Sequence, residues 1–453
     1  MVKLNEQKRM TYAKQIYDLL KLGDVEQFRE WFLALHPTDQ TDIFIELAIE
    51  ARAKVYQFLS PDEFAEVFQG LEKKEQMYVF KELDRHYASA MLNDMYADDV
   101  VTFLSFLSEG EIADVLSSME ETEAAEVREL LSYDPETAGS IMTKEFIRVA
   151  ANETVSNVIS RLRKEAPNAE TIYYLYVVDK GEKLVGVVSL RDLIIADEQE
   201  LVEDVMSSEV VSVSAKTDQE DVARLIKKYD FLAAPVISTD GKLVGIVTVD
   251  DIIDILEEEA TEDLGEFSAS KGATDVNVSS FQAAKKRAPW IILLMFFGLI
   301  TAEVIGQFEE TLEAIVLLAA FIPLLMDSAG NTGTQSLAVA VRGLALGTVE
   351  KDGVGKMLKR ELGTGLMLGF ICMLVIATIV TVMHGNMMLA FIVGISIFLT
   401  LSIATIIGTI VPLIINKMKL DPAIASGPFI TTVNDILGLL IYFSIATALL
   451  DYL

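Results

Sequence analysis

The stretch DPAIASGPFITTVNDILGLLIYFSIATALL, residues 421–450, is apolar along most of its length and carries one acid, Asp435, near its middle. A carboxylate at that depth in a bilayer costs several kcal/mol unless water, a polar partner or a cation compensates it. The segment therefore predicts a membrane protein, and it makes Asp435 a candidate site residue. Two interpretations of Asp435 stay open, because it could lie on an ion pathway or could pair with a polar group and only hold helices together.

Four further apolar segments precede this one, and each is near the length needed to cross about 30 Å of hydrocarbon. The second becomes DSAGNTGTQSLAVAV, which is rich in small residues and includes Asp327, Asn331 and Gln335. Because polar side chains facing lipid are costly, we expect this half to face the protein interior, either along a solute path or in a tight helix interface. The five predicted spans are residues 290–308, 314–341, 363–383, 387–415 and 428–450.

The basic residues around these spans all lie on one side of the predicted membrane. They precede span one and occupy the connections between spans two and three and between spans four and five. The positive-inside rule makes that side cytoplasmic, so we expect a multi-pass protein of the plasma (inner) membrane with its N-terminal domains in the cytoplasm and its C-terminus outside. These bases are Lys285, Lys286, Arg287, Arg342, Lys351, Lys356, Lys359, Arg360, Lys417 and Lys419.

The charge of the chain is concentrated before its spans. Of 68 acids and 37 bases, 11 acids and 10 bases lie from Ser279 onward, which leaves 57 acids and 27 bases before that residue. A region this acidic is expected to concentrate cations and not to bind nucleic acid. The single Cys372 excludes an intrachain disulfide, and three scattered histidines argue against zinc or copper and leave oxygen-ligated metals.

An internal repeat marks the second half of the acidic region. YVVDKGEKLVGVVSLRDLIIA (176–196) recurs as PVISTDGKLVGIVTVDDIIDI (235–255), and in each copy β-branched runs flank a Gly turn and lead into a helix. The copies resemble a tandem pair of CBS domains, an α/β module that often binds adenine nucleotides and usually forms dimers. A purely structural dimerisation module is the alternative. The resemblance implies a candidate adenosine site formed by Tyr174, Ser189, Arg191, Asp192 and Phe231.

Residues 1–135 are predicted to be helical. LSPDEFAEVFQGL (59–71) and LSEGEIADVLSSM (107–119) each begin with a Ser cap and acids and continue with apolar residues at helical spacing, which indicates stacked helical hairpins in a superhelical domain. The region contains no catalytic constellation, and its acids, taken without context, are expected to be solvated surface. The chain has no GxxxxGK[ST] phosphate loop, so we expect a protein that is not an enzyme and for which ATP is a regulator.

The connection between the second repeat and the first span is strongly acidic. In VDDIIDILEEEATEDL (249–264), acids recur three or four residues apart with no base among them. Like charges at that spacing on one helix face repel by a few tenths of a kcal/mol per pair. The segment is either a solvated acidic helix or a helix completed by divalent cations, whose position then depends on how much cation is bound.

In this order, the parts resemble the MgtE family of magnesium channels and transporters over essentially the whole chain. The most specific pieces are MDSAGNTGTQS (326–336), DPAIASGPFITTVND (421–435) and VDDIIDILEEEATEDL (249–264). The resemblance implies a multidomain membrane protein that is a homodimer in lipid. Its implied domains are residues 1–135 (all-α superhelical N-terminal domain), 136–200 and 201–255 (the α/β tandem CBS pair), 256–280 (connecting or plug helix and linker) and 281–453 (five-helix α transmembrane domain).

The resemblance also implies a function and site residues. It implies Mg²⁺ uptake through a pore that high cytoplasmic Mg²⁺ closes, with ATP as a regulator at the CBS domains. It makes Asp435 the pore carboxylate and Asn331 a pore-lining amide. The acids implied to bind regulatory Mg²⁺ are Asp251, Asp254, Glu259, Glu262 and Asp263 in or next to the connecting helix, Asp230 in the second CBS copy, and Glu63, Asp94 and Asp98 in the N-terminal domain.

Physical chemistry agrees with this assignment and leaves alternatives. On a two-fold axis, two Asp435 carboxylates would face one ion, and magnesium keeps several of its waters and needs only one or two carboxylates. The alternatives are a transporter of another divalent cation, Mn²⁺ or Co²⁺, a proton-coupled exchanger, and a membrane-anchored CBS sensor whose spans serve only as an anchor.

Overall fold

The computed structural model describes residues 6–270, 279–345, 347, 349 and 353–452. The chain divides into two compact units, Met1–Leu256 and Glu257–Leu453, and each has its own apolar core. Lys351, one of the bases that orient the predicted spans, lies outside the described residues, as does the part of the expected linker at residues 271–278.

The first unit begins with ten short helices in the described residues, as its sequence predicts. The Ser60 backbone N–H donates to Glu63 at 3.0 Å and the Ser108 backbone N–H donates to Glu111 at 2.9 Å, so the two similar motifs open with the expected capping box. The helices are α1 (Glu6–Leu22), α2 (Val25–Leu33), α3 (Pro37–Glu46), α4 (Ile49–Phe58), α5 (Pro61–Gln69), α6 (Lys73–Glu82), α7 (Arg85–Asn93), α8 (Ala97–Leu104), α9 (Glu109–Ser118) and α10 (Glu121–Leu130).

Two three-stranded sheets of identical topology follow, as the internal repeat predicts. In each sheet the middle strand pairs in parallel with the first strand and antiparallel with the third. The elements are β1 (Arg148–Ala150), α11 (Val155–Glu165), β2 (Tyr174–Val178), β3 (Leu184–Ser189), α12 (Leu190–Ile195), α13 (Val202–Val205), β4 (Val213–Ser214), α14 (Gln219–Tyr229), β5 (Ala233–Ile237) and β6 (Leu243–Thr248).

The two repeats exchange short segments with each other. Thr143, which precedes the first sheet, forms an antiparallel bridge with Ile246 in β6. Ser207, which precedes the second sheet, forms the equivalent bridge with Val187 in β3. Each copy therefore completes the sheet of the other, and the pair forms one α/β module.

One helix, α15 (Val249–Phe267), continues directly from β6 and carries the acidic run. It begins at Val249, so the expected boundary at residues 255–256 falls inside a continuous helix. The reason is local, because the segment contains no proline and no glycine before Gly265, and nothing else in it stops a helix.

In the second unit, five helices among the described residues are long and apolar enough to cross a membrane, which confirms the predicted number of spans. The short helix α17 (Glu309–Ala314) lies between the first two spans. The spanning helices are α16 (Ser280–Gly306), α18 (Ile322–Ala345, preceded by a 3₁₀ turn at Val316–Phe321), α19 (Val354–His384), α20 (Met387–Lys417) and α21 (Gly427–Ala448).

Helix α20 lies at the centre of this unit, because it is the most buried span and α18, α19 and α21 all pack against it. Glycines permit the closest approaches. A Cβ on Gly408 of α20 would collide with the carbonyl oxygen of Gly333 in α18, and a Cβ on Gly330 would stand 2.5 Å from Thr431 Cγ2 in α21. The small residues of the second span therefore bring three helix backbones together.

Candidate functional site

The intramembrane carboxylate Asp435 lies on α21, about 12 Å along the helix from its first residue, Gly427. The side chain is half-buried, and its Oδ1 atom has no hydrogen-bond partner among the described residues. A carboxylate that served only to tether two helices would be hydrogen-bonded to one of them. The geometry therefore favours the ion-pathway interpretation over the helix-pairing one.

Three polar residues of the second span, Asp327, Asn331 and Gln335, follow one another at one-turn spacing on α18 and are exposed on the surface of the chain. Asn331 Nδ2 donates to Asp327 Oδ1 at 3.1 Å. Within the single chain most of the small residues of this half are buried, as expected, whereas this polar stripe is exposed. Exposed polar groups are costly against lipid, so the stripe requires water or another polypeptide over it.

A membrane-side acidic cluster (Glu259, Glu262, Asp263 and Asp421) forms in the second unit. Burial raises the pKa of Asp263, the charges of Asp421, Glu259 and Glu262 raise it further, and Arg342 lowers it, with the result at about 6. The structure thus brings three of the predicted regulatory acids together, and the carboxyl of one of them, Asp263, is half-buried. Mutual repulsion at this place favours a bound cation or a proton.

Asp421 is a member of this cluster that the sequence analysis missed. It lies in the connection between the last two spans, where its carboxylate also accepts a hydrogen bond from the Ala423 backbone N–H at 2.8 Å. The available signal was an acid in a connection otherwise marked by the bases Lys417 and Lys419.

A cytoplasmic acidic cluster (Asp98, Asp99, Glu145, Glu170, Asp250 and Asp251) forms in the first unit. It joins the first turn of α8, two loops of the first CBS copy and the first turn of α15. The sequence analysis predicted Asp98 and Asp251 as site residues and missed the other four acids. Asp99 and Asp250 adjoin the predicted residues Asp98 and Asp251, whereas Glu145 and Glu170 come from loops distant in sequence that no local pattern marks.

Burial and neighbouring charges disfavour the ionised form of three carboxyls in the cytoplasmic acidic cluster, those of Asp98, Asp99 and Glu170. Burial, followed by the charges of Asp99, Asp251 and Glu145, raises the pKa of Asp98 well above its usual range. Burial and neighbouring acids also raise the pKa of Asp99 to about 6 and that of Glu170 to about 7. Asp98 Oδ1 is buried and has no hydrogen-bond partner in the described part of the chain.

Neither cluster is a preformed metal-binding site. Among the described residues, no three Asp, Glu, His or Cys side chains stand close enough together to hold a metal ion as they are placed. Carboxylate oxygens are nonetheless the ligands that suit Mg²⁺, which keeps several waters and tolerates one or two protein carboxylates. A cation bound at either cluster would therefore draw carboxylates towards one another.

Glu63, another predicted regulatory acid, already has a protein partner. Arg29 donates to its Oε2 atom at 2.7 Å and also contacts Oε1, and the Ser60 backbone N–H donates to the same carboxylate. Burial raises the pKa of Glu63, but the bonds from Ser60 and Arg29 outweigh it and lower the pKa below its usual value. Metal binding by Glu63 would have to displace Arg29.

The remaining predicted acids are exposed, and one of them, Asp254, lies one helical turn from Asp251 of the cytoplasmic acidic cluster. Asp94 ends α7, where burial and the charges of Asp62 and Glu120 raise its pKa. Asp230 ends α14 with a left-handed backbone at φ 53°. Asp254 lies in the second turn of α15 and is exposed.

The predicted nucleotide residues are largely brought together. Tyr174, Ser189, Arg191 and Asp192 line a cavity of about 640 Å³, whereas Phe231 does not line it and its neighbour Leu232 does. The Ser189 hydroxyl donates to Asp192 at 2.6 Å, which fixes both side chains at the start of α12. An aromatic ring, a guanidinium and a carboxylate on one rim suit a base, a phosphate and a ribose hydroxyl.

A carboxylate at membrane depth within five spanning helices, joined to an acidic helical domain and a pair of α/β repeats, is the arrangement expected of an ion-transporting membrane protein. Family models agree: the MgtE intracellular N domain matches residues 35–136, the CBS domain matches 138–198 and 202–258, and the MgtE divalent cation transporter matches 322–445. The chain is 42% identical to the magnesium transporter MgtE of Bacillus subtilis (strain 168), over 98% of this chain and 99% of that protein. The chain belongs to the MgtE family.

Other relatives agree with this assignment and with the predicted fold class. The magnesium transporter MgtE of Thermus thermophilus is 38% identical over 97% of this chain and 98% of its own length. Two solved structures are also similar to this chain. The soluble part of a magnesium transporter is 44% identical with a TM-score of 0.54, and the match covers 56% of this chain and 99% of that one. The cytosolic domain of the Mg²⁺ channel MgtE in complex with ATP is 39% identical with a TM-score of 0.51, and the match covers 54% of this chain and 99% of that one. Membership of a transporter family confirms that the chain is not an enzyme.

Proposed function

We propose that the protein is a magnesium-selective channel or transporter for Mg²⁺ uptake, with Asp435 as its pore carboxylate and Asn331 as a pore-lining amide. The observation that carries this proposal is the Oδ1 atom of Asp435, which lies at membrane depth and has no hydrogen-bond partner among the residues that the structure describes. A partly hydrated Mg²⁺ is stabilised by such an oxygen, and the relatives named as magnesium transporters support Mg²⁺ over Mn²⁺ or Co²⁺.

The exposed polar stripe supports a homodimer. A second copy related by a two-fold axis would cover Asp327, Asn331 and Gln335 with the same three residues and water, and would shield them from lipid. Such an axis brings two Asp435 carboxylates towards one ion path. A membrane-anchored sensor would have no use for an uncovered polar stripe, and that alternative is correspondingly disfavoured.

The proposed topology places residues 1–270 in the cytoplasm and the C-terminus outside. Bases lie at the start of α16 and α19 and at the end of α18 and α20, which are the ends that alternate helices present to one side of a membrane. The domain boundaries predicted from the sequence, other than the one that falls inside α15, are part of the same proposal.

Regulation by cytoplasmic Mg²⁺ is proposed to act through α15, which carries acids of both clusters. At low Mg²⁺ the carboxylates within each acidic cluster repel one another, and the cytoplasmic domains are therefore loosely packed. Bound Mg²⁺ bridges them, and a ligand that binds the compact state better shifts the population towards it. The compact state then holds α15 where it closes the pore. ATP is proposed to modulate this equilibrium from the cavity beside Tyr174 and Arg191, and the ATP complex of a relative supports it.

The experiment that tests the transport function is Mg²⁺ flux into liposomes that contain the purified protein, with Mg²⁺ as the sole permeant cation. Asp435→Asn and Asp435→Ala are expected to abolish flux while the protein stays folded and dimeric. Glu303→Gln, which neutralises an exposed acid of α16, is the matched control and should conduct normally. Undiminished flux through folded Asp435→Ala protein would remove Asp435 from the pathway.

A further inference from the structure

Asp327 is a second carboxylate in the spanning region, and the proposed pore leaves it without a role. Its helix, α18, runs antiparallel to α21: Gly427 lies beside Thr334 at one end, with a Cβ on that glycine 3.4 Å from Thr334 Cγ2, and Gly438 lies beside Ala329 further along. Asp327 therefore stands beyond the level of Gly438, roughly one and a half turns from Asp435 towards the C-terminal end of α21.

The proposed topology makes that direction the outside of the cell. A cation that enters from outside along α18 and α21 meets Asp327 before it meets Asp435. The two carboxylates thus lie on adjacent helices at neighbouring levels. Residues 288–341, 361–416 and 420–453 contain no Lys or Arg that could neutralise them. Two uncompensated acids at this depth are costly together, and the cost falls when a divalent cation is present between or beside them.

The surroundings of Asp327 also point to a ligand. Its Oδ1 atom accepts the hydrogen bond from Asn331 Nδ2, which fixes the orientation of both side chains on the exposed face of α18. Across the helix interface, the buried Oδ1 atom of Asp435 has no partner among the described residues. Oriented oxygens from two helices thus occur at two successive levels of one path, which is the arrangement needed for a cation to bind, advance and leave.

We propose that Asp327 is the outer carboxylate of the ion pathway: it captures a partly hydrated divalent cation from the external side and raises the selectivity for divalent over monovalent cations. This inference rests on the proposed function. Because Mg²⁺ carries two charges, one added carboxylate attracts it with about twice the Coulomb energy with which it attracts Na⁺ at the same distance. Asp435 remains the inner site, at which the ion is held between the two copies.

The test is Mg²⁺ flux through the full-length protein in liposomes, measured against external Mg²⁺ concentration and with Na⁺ as competitor. Asp327→Asn is the decisive substitution, because an asparagine keeps an acceptor oxygen for Asn331 and removes only the charge. We expect it to raise the half-saturating external Mg²⁺ about tenfold and to lower the Mg²⁺/Na⁺ permeability ratio. Asp327→Glu should stay near the parent, and Glu303→Gln is the control for loss of an external acid.

The outcomes separate the inference from the function on which it rests. If the parent protein carries no Mg²⁺, the proposed function fails. If the parent conducts and Asp327→Asn keeps both the parent half-saturation and the parent permeability ratio, Asp327 is not part of the pathway. If Asp327→Asn abolishes flux, recovery in Asp327→Glu supports the inference, and continued loss in Asp327→Glu overturns it in favour of a packing role.

Discussion

The Ser336 hydroxyl of α18 donates a hydrogen bond of 2.9 Å to Oε2 of Glu361 in α19, and both side chains are buried. Arg360 donates to the other oxygen of the same carboxylate, from Nε at 3.2 Å. This carboxylate therefore ties the helix that bears the polar stripe to its neighbour at the end where the bases lie.

Glu361→Ala should destabilise the spanning domain by about 2 kcal/mol, because it leaves a buried hydroxyl and a guanidinium without their partner. Glu361→Gln keeps an acceptor for Ser336 and should cost less. The measurement is the thermal unfolding temperature in detergent, with Glu309→Ala on an exposed turn as the control. Equal unfolding temperatures for Glu361→Ala and the control would show that the bond contributes nothing.

Gly408→Ala should impair folding of the spanning domain, because its Cβ would collide with a backbone oxygen, that of Gly333, which cannot move without shifting α18. Overpacking of this kind costs about 1–3 kcal/mol. Gly394→Ala in the same helix is the matched control, since its Cβ would meet the flexible Met373 side chain at 3.1 Å. The yield of folded protein after detergent extraction compares the two, and a Gly408→Ala yield no lower than that of the control would contradict the prediction.

The first unit, Met1–Leu256, should become less stable as pH rises from about 5 to 8 in the absence of divalent cations. The pKa values of Asp99 and Glu170 are raised from 3.8 and 4.5 to about 6 and about 7 in the folded protein. The folded state thus binds more protons than the unfolded state in this window, and stability present at low pH is lost as pH passes through the raised values.

Thermal unfolding of the protein in EDTA at a series of pH values measures this effect. Mg²⁺ should weaken the pH dependence by replacing the protons, and Asp98→Asn should stabilise the unit at pH 8, because it removes one of the buried repelling charges. Asp114→Asn, which neutralises an exposed acid of α9, is the control. An unfolding temperature that rises with pH in EDTA would refute the assignment of these carboxyls.

Neutralising Asp251, Glu259, Glu262 and Asp263 together should leave the pore open at high cytoplasmic Mg²⁺ and should weaken the protection that Mg²⁺ gives against proteolysis. The physical reason is that fewer carboxylates remain for Mg²⁺ to bridge in the compact state. Flux at low and at high internal Mg²⁺ is the measurement.

A matched variant tests whether loss of charge alone has this effect. It neutralises four exposed acids of the first unit, Glu26, Glu109, Asp114 and Asp204. This control should close at high Mg²⁺ as the parent does. If the cluster variant closes equally well, Mg²⁺ is sensed elsewhere.

The sequence predicted best those features that depend on local pattern. The length of the apolar segments was sufficient to predict five spans. The motif that begins at Ser60 was sufficient to predict a capped helix, and the internal repeat was sufficient to predict two equivalent sheets. Each of these follows from interactions within a few turns or strands of the chain.

Features that depend on tertiary contacts were harder to predict from the sequence. Glu145 and Glu170 meet Asp251 only because the repeats and the helical domain pack together, and the link between Glu63 and Arg29 joins residues in separate helices. The exposure of Asn331 could not be predicted either. A polar residue in an apolar segment indicates a free-energy cost in lipid, but the sequence does not say in which direction its side chain points.

The helix α15 runs from Val249 to Phe267 without a break, and such a rod is about 28 Å long. A tilt of about 10° at its first turn would move its last turn by about 5 Å, a lever that enlarges a small displacement. If carboxylates near Asp251 close around a cation, as we propose, a displacement of about an ångström there would be enlarged before it reached Asp263. In the proposed mechanism, this movement of the far end would add to the effect of any ion bound at Glu259, Glu262 and Asp263.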